Sequence, residues 1–131
     1  RVRKLFRNDL EDYKARAEAV REAELFMGKY AVTVCPSDGI ESPTIVGAQA
    51  ANELLNINKV KASFVLTEYQ GRIYVSARSI DEVNVQIIME RLGGGGHMNI
   101  AGAQLTNVTV EDAMKKLKDT IEEMDKEGDF K

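Results

Sequence analysis

Four consecutive glycines, Gly93 to Gly96, follow a helical segment and lead directly into the only histidine of the chain, His97. Glycine loses more backbone freedom on folding than any other residue, so such a run indicates a place where side chains would obstruct something. Backbone N–H groups without neighbouring Cβ atoms can approach an anion, and a histidine can add a donor or a positive charge. The run therefore predicts a phosphate site. A flexible linker is the alternative, although linkers usually carry Ser, Thr or Pro.

Composition limits the classes of protein to which this chain can belong. With 131 residues, of which 44% are hydrophobic and 30% are charged, it is predicted to form one globular domain. The net charge of −3 argues against broad binding to DNA or RNA backbones, which requires a basic face. A single cysteine, Cys35, excludes an internal disulfide, and one cysteine with one histidine is too little for a zinc site. We expect Cys35 to be a buried strand residue.

The sequence contains no apolar run that could span a membrane and no signal peptide, and it begins at Arg1. We therefore expect a cytoplasmic piece of a longer protein.

Periodicity predicts an α/β domain with a mixed β-sheet flanked by helices. A first helix over residues 9–27, with Leu10 and Tyr13 on its apolar face, would end at Gly28. This helix is either a connector to a preceding domain or a helix with one face on the core of this domain. The other expected elements are strands over residues 30–35, 60–69, 72–79 and 101–105, and helices that begin at Ser42-Pro43, at residue 85 and at a Thr109–Asp112 capping box.

Alternation along the strand over residues 72–79 places Tyr74, Ser76 and Arg78 on the face opposite its apolar residues. An arginine and a serine on that face, next to a further serine at Ser79, can bind an anion. A solvated surface arginine is the alternative interpretation of Arg78.

The chain lacks the residues that phosphate-ester cleavage requires. A metal-dependent hydrolase needs several carboxylates and histidines that converge on its ions, whereas this chain has one histidine and acids spread along helix faces. No serine stands in a Gly-x-Ser-x-Gly context. We therefore predict no catalytic residue and no metal ligand in this chain, which can bind a phosphate group but not cleave it.

Short motifs between residues 76 and 104 carry a resemblance to a known family. They are Ser76-Ala77-Arg78-Ser79, Val83-Asn84-Val85-Gln86, Met89-Glu90, Gly93 to His97 and Ala101-Gly102-Ala103-Gln104. Together they resemble the DHH-associated C-terminal domain of DHH-family phosphoesterases, and they are most similar to the GdpP-type cyclic-di-AMP phosphodiesterases. The glycine–histidine motif marks the wider family, which also includes nano-RNA exonucleases, RecJ nucleases and a domain of alanyl-tRNA synthetase.

The resemblance implies a division of labour between two domains. A DHH domain, whose Asp-His-His sequence does not occur here, would hold two manganese ions and hydrolyse cyclic-di-AMP to linear pApA. Residues 1–28 would be the connector helix from that catalytic domain. Residues 29–131 would be the substrate-binding domain that closes over the nucleotide, without enzymatic activity of its own. The resemblance also implies a membrane-anchored parent protein, and it is compatible with a homodimer.

The candidate substrate-binding residues that follow from the motifs and the resemblance are Ser76, Arg78, Ser79, Asn84, Gly93, Gly94, Gly95, Gly96, His97, Asn99 and Gln104. Two residues depart from the pattern of the resembled family. Asn52 stands where many relatives have an acid. Ile100 is bulkier than the alanine usual at its position, and this difference affects the shape of the base pocket. A nano-RNA exonuclease domain and a non-enzymatic nucleic-acid-binding module remain the alternative functions.

Overall fold

The computed structural model describes residues 2–128 of the chain, and the side chains of residues 10–128. Its elements, in chain order, are α1 (Val2–Arg21), β1 (Glu24–Phe26), β2 (Tyr30–Cys35), α2 (Pro43–Leu54), β3 (Ala62–Tyr69), β4 (Arg72–Ser79), α3 (Val85–Arg91), β5 (Gly95–Gly96), β6 (Ile100–Thr106) and α4 (Val110–Glu127).

The strands form one mixed sheet in the order β1-β2-β3-β4-β6-β5. Strands β2 and β3 are parallel and are joined through α2, because a parallel pair needs a long crossover connection. All the other neighbouring pairs are antiparallel, and β3 and β4 form a hairpin. The predicted α/β fold with a mixed sheet flanked by helices is therefore confirmed.

One face of the sheet packs against α3 and α4. Phe64, Leu66, Ile88, Leu117 and Ile121 are fully buried in this larger hydrophobic cluster. The inward-facing residues of β4 and β6 belong to the same cluster, so these two strands are anchored from this side.

The opposite face of the sheet is only partly covered. A second cluster joins α1, α2, β2 and β3, mainly through small residues such as Ala15, Ala19, Ala50 and Ala51. Among residues 10–128, this cluster contains nothing from β4, β5 or β6. The face of these three strands on the α2 side of the sheet is therefore open, and it provides a platform bordered by α2.

The N-terminal segment differs from the predicted helix over residues 9–27. Helix α1 ends at Arg21, and Glu24–Phe26 pairs with β2 as an edge strand. Gly28, with a φ of 76°, lies in the turn between these strands instead of capping a helix. The segment contains good helix formers, but pairing with the free edge of β2 overrides that propensity.

The buried face of α1 also differs from the prediction. Leu10 and Tyr13 are 42% and 59% exposed, whereas Ala15 and Ala19 are buried. Alanines allow a close approach to the sheet, and the carbonyl of Ala19 accepts a hydrogen bond from Thr33 Oγ1 at 2.7 Å. Residue 1 of the predicted connector and residues 129–131 of the predicted domain lie outside the described residues.

The later predicted elements are confirmed, with small shifts at their ends. Thr109 caps α4 as expected, since its Oγ1 accepts a hydrogen bond from the N–H of Asp112 at 3.0 Å. Pro43 occupies the first turn of α2, but the Ser42 side chain makes no capping hydrogen bond. The glycine run, for which no strand was predicted, contributes the two-residue strand β5.

Cys35 is a buried strand residue, as predicted. Burial, together with the negative charge of Glu18, raises the pKa of its thiol to about 11. Within residues 2–128, no helix is long and apolar enough to cross a membrane.

Candidate functional site

A cavity of about 430 Å³ lies on the open platform, over β4 and β6 and beside the first turn of α2. It is lined by Thr44, Tyr74, Val75, Ser76, Gly93, Gly94, Gly102, Ala103 and Gln104. Four of the residues predicted from the sequence are brought together here: Ser76, Gly93, Gly94 and Gln104. A second open groove of about 550 Å³ beside α4 contains none of the predicted residues.

A row of small residues across three strands forms the floor of the cavity and continues past its lining, because Ser76 and Gly102 line the cavity whereas Gly95, the third member of the row, lies beyond it. Ser76 of β4 lies opposite Gly102 of β6, and Gly102 lies opposite Gly95 of β5. Directly opposed residues in antiparallel strands project to the same face of a sheet. One hydroxymethyl group is therefore the only side chain in this row, and a ligand can approach the backbone closely.

The glycines of the run lack side chains for different reasons. A Cβ on Gly94 would collide with the carbonyl oxygen of Gly102, and a Cβ on Gly96 would lie 2.6 Å from the carbonyl oxygen of Ile100. Gly93 has a φ of 90°, which disfavours other residues. Packing and backbone conformation therefore account for these three.

Gly95 is the exception within the run. A Cβ built at this position meets no atom within 4 Å, and its backbone has an ordinary conformation. The fold of this chain would accommodate a side chain here, in the direction of the open platform. Space for a ligand is a physical reason for a glycine at this position.

The backbone N–H groups of the run are less available than the sequence suggested. Those of Gly93, Gly94 and His97 donate to the carbonyls of Glu90, Met89 and Ile100 at 3.1, 2.8 and 2.7 Å, respectively. The expectation that a row of free amides holds an anion is thus wrong for these three positions. The segment offers an unobstructed surface instead of a ring of donors.

Arg78 lies on the platform face of β4, two residues beyond Ser76, which corresponds to about 7 Å along a strand. Its Nε donates to Asn52 Oδ1 at 3.1 Å, and its Nη1 donates to the carbonyl of Ala77 at 2.9 Å. These two bonds fix a half-buried guanidinium beside the floor, so Arg78 is not a freely solvated surface residue.

The charge of Arg78 is uncompensated in its surroundings. Among residues 10–128, no carboxylate forms an ion pair with it, and its partner on α2 is the neutral amide of Asn52. Burial lowers the pKa of the Arg78 guanidinium, but arginine remains charged in proteins. A half-buried cation without a counterion favours the binding of an anion beside it.

His97 begins the tight connection between β5 and β6, and its imidazole is exposed. Its backbone exchanges hydrogen bonds with Ile100 at 2.7 and 3.3 Å. Its side chain has no hydrogen-bond partner in the part of the chain that the structure describes. No hydrogen bond to the described residues would therefore have to break for the imidazole to contact a ligand.

Three predicted residues are engaged in the scaffold around the site. Asn84 caps α3, since its Oδ1 accepts from the N–H groups of Gln86 and Ile87 at 2.9 and 3.4 Å. Asn99 Nδ2 donates to Ser79 Oγ at 2.9 Å.

Asn99 and Ser79 together form a clamp around the connection between β4 and α3. Asn99 Nδ2 also lies 3.2 Å from the carbonyl oxygen of Asp81, and Ser79 Oγ donates to the carbonyl of Val83 at 2.6 Å. These bonds tie the β5–β6 connection to the segment that precedes α3, so they hold the glycine run in place.

Sequence reasoning missed three polar or aromatic residues around the cavity. Tyr74 was placed on the correct face by alternation but was not selected, although an aromatic residue two positions before Ser76 was a usable signal. Thr44 borders the cavity only because α2 packs beside β4, which no local pattern reveals. Asn52 contacts Arg78 for the same reason.

The described residues do not fit a metal centre. Among the described side chains, those of residues 10–128, no three His, Cys, Asp or Glu come together in a way that could hold a metal ion. The groups that the cavity and its surroundings offer to a ligand are therefore the Ser76 hydroxyl, the Arg78 guanidinium and the Gln104 carboxamide, and not a metal ion held by the described side chains.

Comparison with known proteins gives a consistent family. The DHHA1 domain model matches residues 28–127. Cyclic-di-AMP phosphodiesterase GdpP of Geobacillus thermodenitrificans is 40% identical over 121 residues, which are 92% of this chain and 18% of that protein. Cyclic-di-AMP phosphodiesterase PdeA of Listeria monocytogenes is 37% identical over 122 residues, with the same two coverages of 92% and 18%. The chain thus spans 18% of the length of these curated relatives.

Solved structures share the fold. An exopolyphosphatase-related protein of Bacteroides fragilis superposes with a TM-score of 0.74 at 20% identity, covering 86% of this chain and 34% of that one. RecJ of Thermus thermophilus, solved in complex with Mn²⁺, has a TM-score of 0.61 at 17% identity and covers 86% of this chain and 16% of its own.

Proposed function

The chain belongs to the DHHA1 domain family, and on that premise we propose that it is the nucleotide-binding domain of a cyclic-di-AMP phosphodiesterase. In this proposal, a DHH domain elsewhere in the same polypeptide holds two manganese ions and hydrolyses cyclic-di-AMP to pApA. The polypeptide is anchored in a membrane, and this domain is on the cytoplasmic side.

The observation that carries the proposal is the row Ser76, Gly102 and Gly95. This row has almost no side chains, and neither packing nor backbone conformation explains why residue 95 is a glycine. A phosphate group lying on this floor would be within reach of the Ser76 hydroxyl. Arg78, which lies two residues beyond Ser76 on β4, would supply a positive charge.

Each polar group then has a defined task. The planar guanidinium of Arg78 is suited to two phosphate oxygens, and Asn52 keeps its Nε oriented without neutralising it. The exposed imidazole of His97 donates to the same or the neighbouring phosphate from the rim. The clamp of Ser79 and Asn99 holds His97 and the glycine run at a constant distance from β4.

A small nucleotide fits this site better than a long nucleic acid. The net charge of the chain is −3. The polar groups on the sheet lie in three neighbouring rows only, which contain Ser76, the Tyr74–Gln104 pair and Arg78. A long strand would need a basic track with aromatic residues between the charges.

The salt dependence of binding tests this proposal. We expect the affinity of the chain for cyclic-di-AMP to fall by at most about 7-fold between 50 and 200 mM salt, because a ligand with two phosphates displaces few counterions. A strand of oligoadenylate with six contacted phosphates would lose about 300-fold. Calorimetric titration of both ligands distinguishes the two functions. Steep loss for a tightly bound oligonucleotide, with no binding of cyclic-di-AMP, would replace the proposal with a nucleic-acid-binding module.

A further inference from the structure

One end of the cavity has features that phosphate binding does not use. Tyr74, Gln104 and Thr44 line this end of the cavity. Tyr74 and Gln104 lie two residues along their strands from the floor row, on the side away from Arg78. Tyr74 lies opposite Gln104, as Ser76 lies opposite Gly102. Two residues along a strand separate these rows by about 7 Å.

The Tyr74 ring is held in place by its neighbours. Its centroid lies 6.3 Å from that of Tyr69 on β3, with the planes tilted by 49°. Tyr69 is its diagonal neighbour across the β3–β4 hairpin, a position from which large side chains touch. The ring is half-buried, so a flat ligand would find a surface that is already ordered.

The carboxamide of Gln104 is oriented as well. Its Oε1 accepts a hydrogen bond from Arg72 Nη1 at 3.0 Å, which determines the side on which the oxygen lies. A carboxamide oxygen has two lone pairs, so Oε1 can accept a second hydrogen bond, and both Nε2 hydrogens remain for donation. Glutamine can pair in this way with the N6 and N7 atoms of adenine.

From this arrangement we propose that the Tyr74 end of the cavity is a nucleobase subsite for adenine, in which the base stacks on Tyr74 and Gln104 reads its N6–N7 edge. The inference rests on the proposed function, since it assumes that a phosphate occupies the floor row. The spacing of about 7 Å between the rows allows a single nucleotide to place its phosphate at Ser76 and its base at Tyr74.

Ligands that differ by one part test the subsite separately from the phosphate floor. The chain is titrated with AMP, with IMP and with ribose 5-phosphate, which has no base, and amide chemical shifts are followed by NMR. We expect AMP to bind about 10-fold more tightly than ribose 5-phosphate, because stacking on an aromatic side chain contributes an effect of this size. AMP should also bind more tightly than IMP, which has an acceptor at the position of the adenine amino group.

Variants locate the effect. Tyr74→Ala should reduce the affinity for AMP to that for ribose 5-phosphate and leave ribose 5-phosphate binding unchanged, whereas Tyr74→Phe should keep the difference. Gln104→Leu should abolish the preference for AMP over IMP. Tyr13→Ala, which removes an exposed tyrosine on α1, is the matched control and should change neither affinity.

Two failures have different meanings. Equal affinities of the unaltered chain for AMP and ribose 5-phosphate would overturn the base subsite and leave the phosphate floor standing. Absence of any shift at Gly95 and Gly102 with either ligand would overturn the proposed function together with the subsite. If Tyr74→Ala does not fold, Tyr74→Phe and Gln104→Leu still decide the outcome.

Discussion

Gly94 and Gly95 are adjacent residues that lack side chains for opposite reasons. A Cβ on Gly94 would enter the backbone of β6, whereas a Cβ on Gly95 would enter open space above the floor. Gly94→Ala should therefore lower the free energy of unfolding by about 2 kcal/mol, as overpacking typically does. Gly95→Ala should leave the melting temperature almost unchanged.

Substitutions at Gly95 should impair function although they leave stability almost unchanged. In the complete protein, which we propose to be a phosphodiesterase, we expect Gly95→Val to weaken the use of cyclic-di-AMP more than Gly95→Ala, because the larger side chain covers more of the floor. Thermal melts and steady-state kinetics on the same preparations measure both effects. Full activity of Gly95→Val with unchanged melting would show that no ligand lies at this position.

Arg78 is expected to act through the geometry of its guanidinium as well as through its charge. Arg78→Lys keeps the charge but removes the two-pronged donor and the bond to Asn52. A charge-assisted hydrogen bond is worth roughly 1.5–3 kcal/mol, so kcat/KM for cyclic-di-AMP should fall about 10-fold or more. Unchanged kinetics in a normally folded variant would show that Arg78 does not bind the phosphate.

His97 should matter for turnover and not for stability. Its imidazole is exposed and has no hydrogen-bond partner among the described side chains, so His97→Ala should leave the melting temperature nearly unchanged. In the proposed role His97 donates to the negative charge that develops on the substrate, so His97→Ala should lower turnover about 100-fold. Activity within about 2-fold of the unaltered enzyme, measured at saturating substrate, would remove His97 from the site.

At the scale of elements, the short connection between β5 and β6 depends on a clamp. Asn99 joins it to Ser79 and to the carbonyl of Asp81, so Asn99→Ala leaves two acceptors without this donor. We expect a loss of about 1 kcal/mol in the free energy of unfolding, measured by urea denaturation. The amide of Ile100 should also exchange faster with solvent. Asn58→Ala, at an exposed position, is the control; an equal loss in both variants would argue against the clamp.

Whole elements were predictable from the sequence where a local pattern and the tertiary environment agree. The alternation in β4 and the Thr109 cap of α4 are examples, and both are confirmed. The end of α1 was not predictable, because the local helix propensity of residues 22–27 opposes pairing with an edge strand. The glycine run was recognised as a special segment, but its pairing with β6 depends on contacts that no local pattern shows.

The candidate site was predictable to a similar degree. Ser76, Gly95 and Arg78 were selected by residue type and alternation, and the fold brings them to one platform. Thr44 and Asn52 lie on α2, at least twenty residues away from β4 in the chain, so only the crossover between β2 and β3 brings them near. Residues with one task in sequence motifs can have another in the fold, as Asn84 has in capping α3.

For the molecule as a whole, binding and cleavage should be separable. The chain alone should not convert cyclic-di-AMP to pApA, even in excess manganese, because its described residues include no group that could hold a metal ion. Chromatography of prolonged incubations checks this expectation. Formation of pApA in proportion to the amount of chain, repeated in independent preparations, would contradict it.

The most direct test of the central claim is an NMR titration of this chain with cyclic-di-AMP. The account predicts the largest amide shifts at Ser76, Gly95 and Gly102, and loss of these shifts in Gly95→Val while the rest of the spectrum remains that of a folded protein. Shifts confined to the lysines of α4, or no shifts at millimolar ligand, would show that the floor of small residues is not where the nucleotide binds.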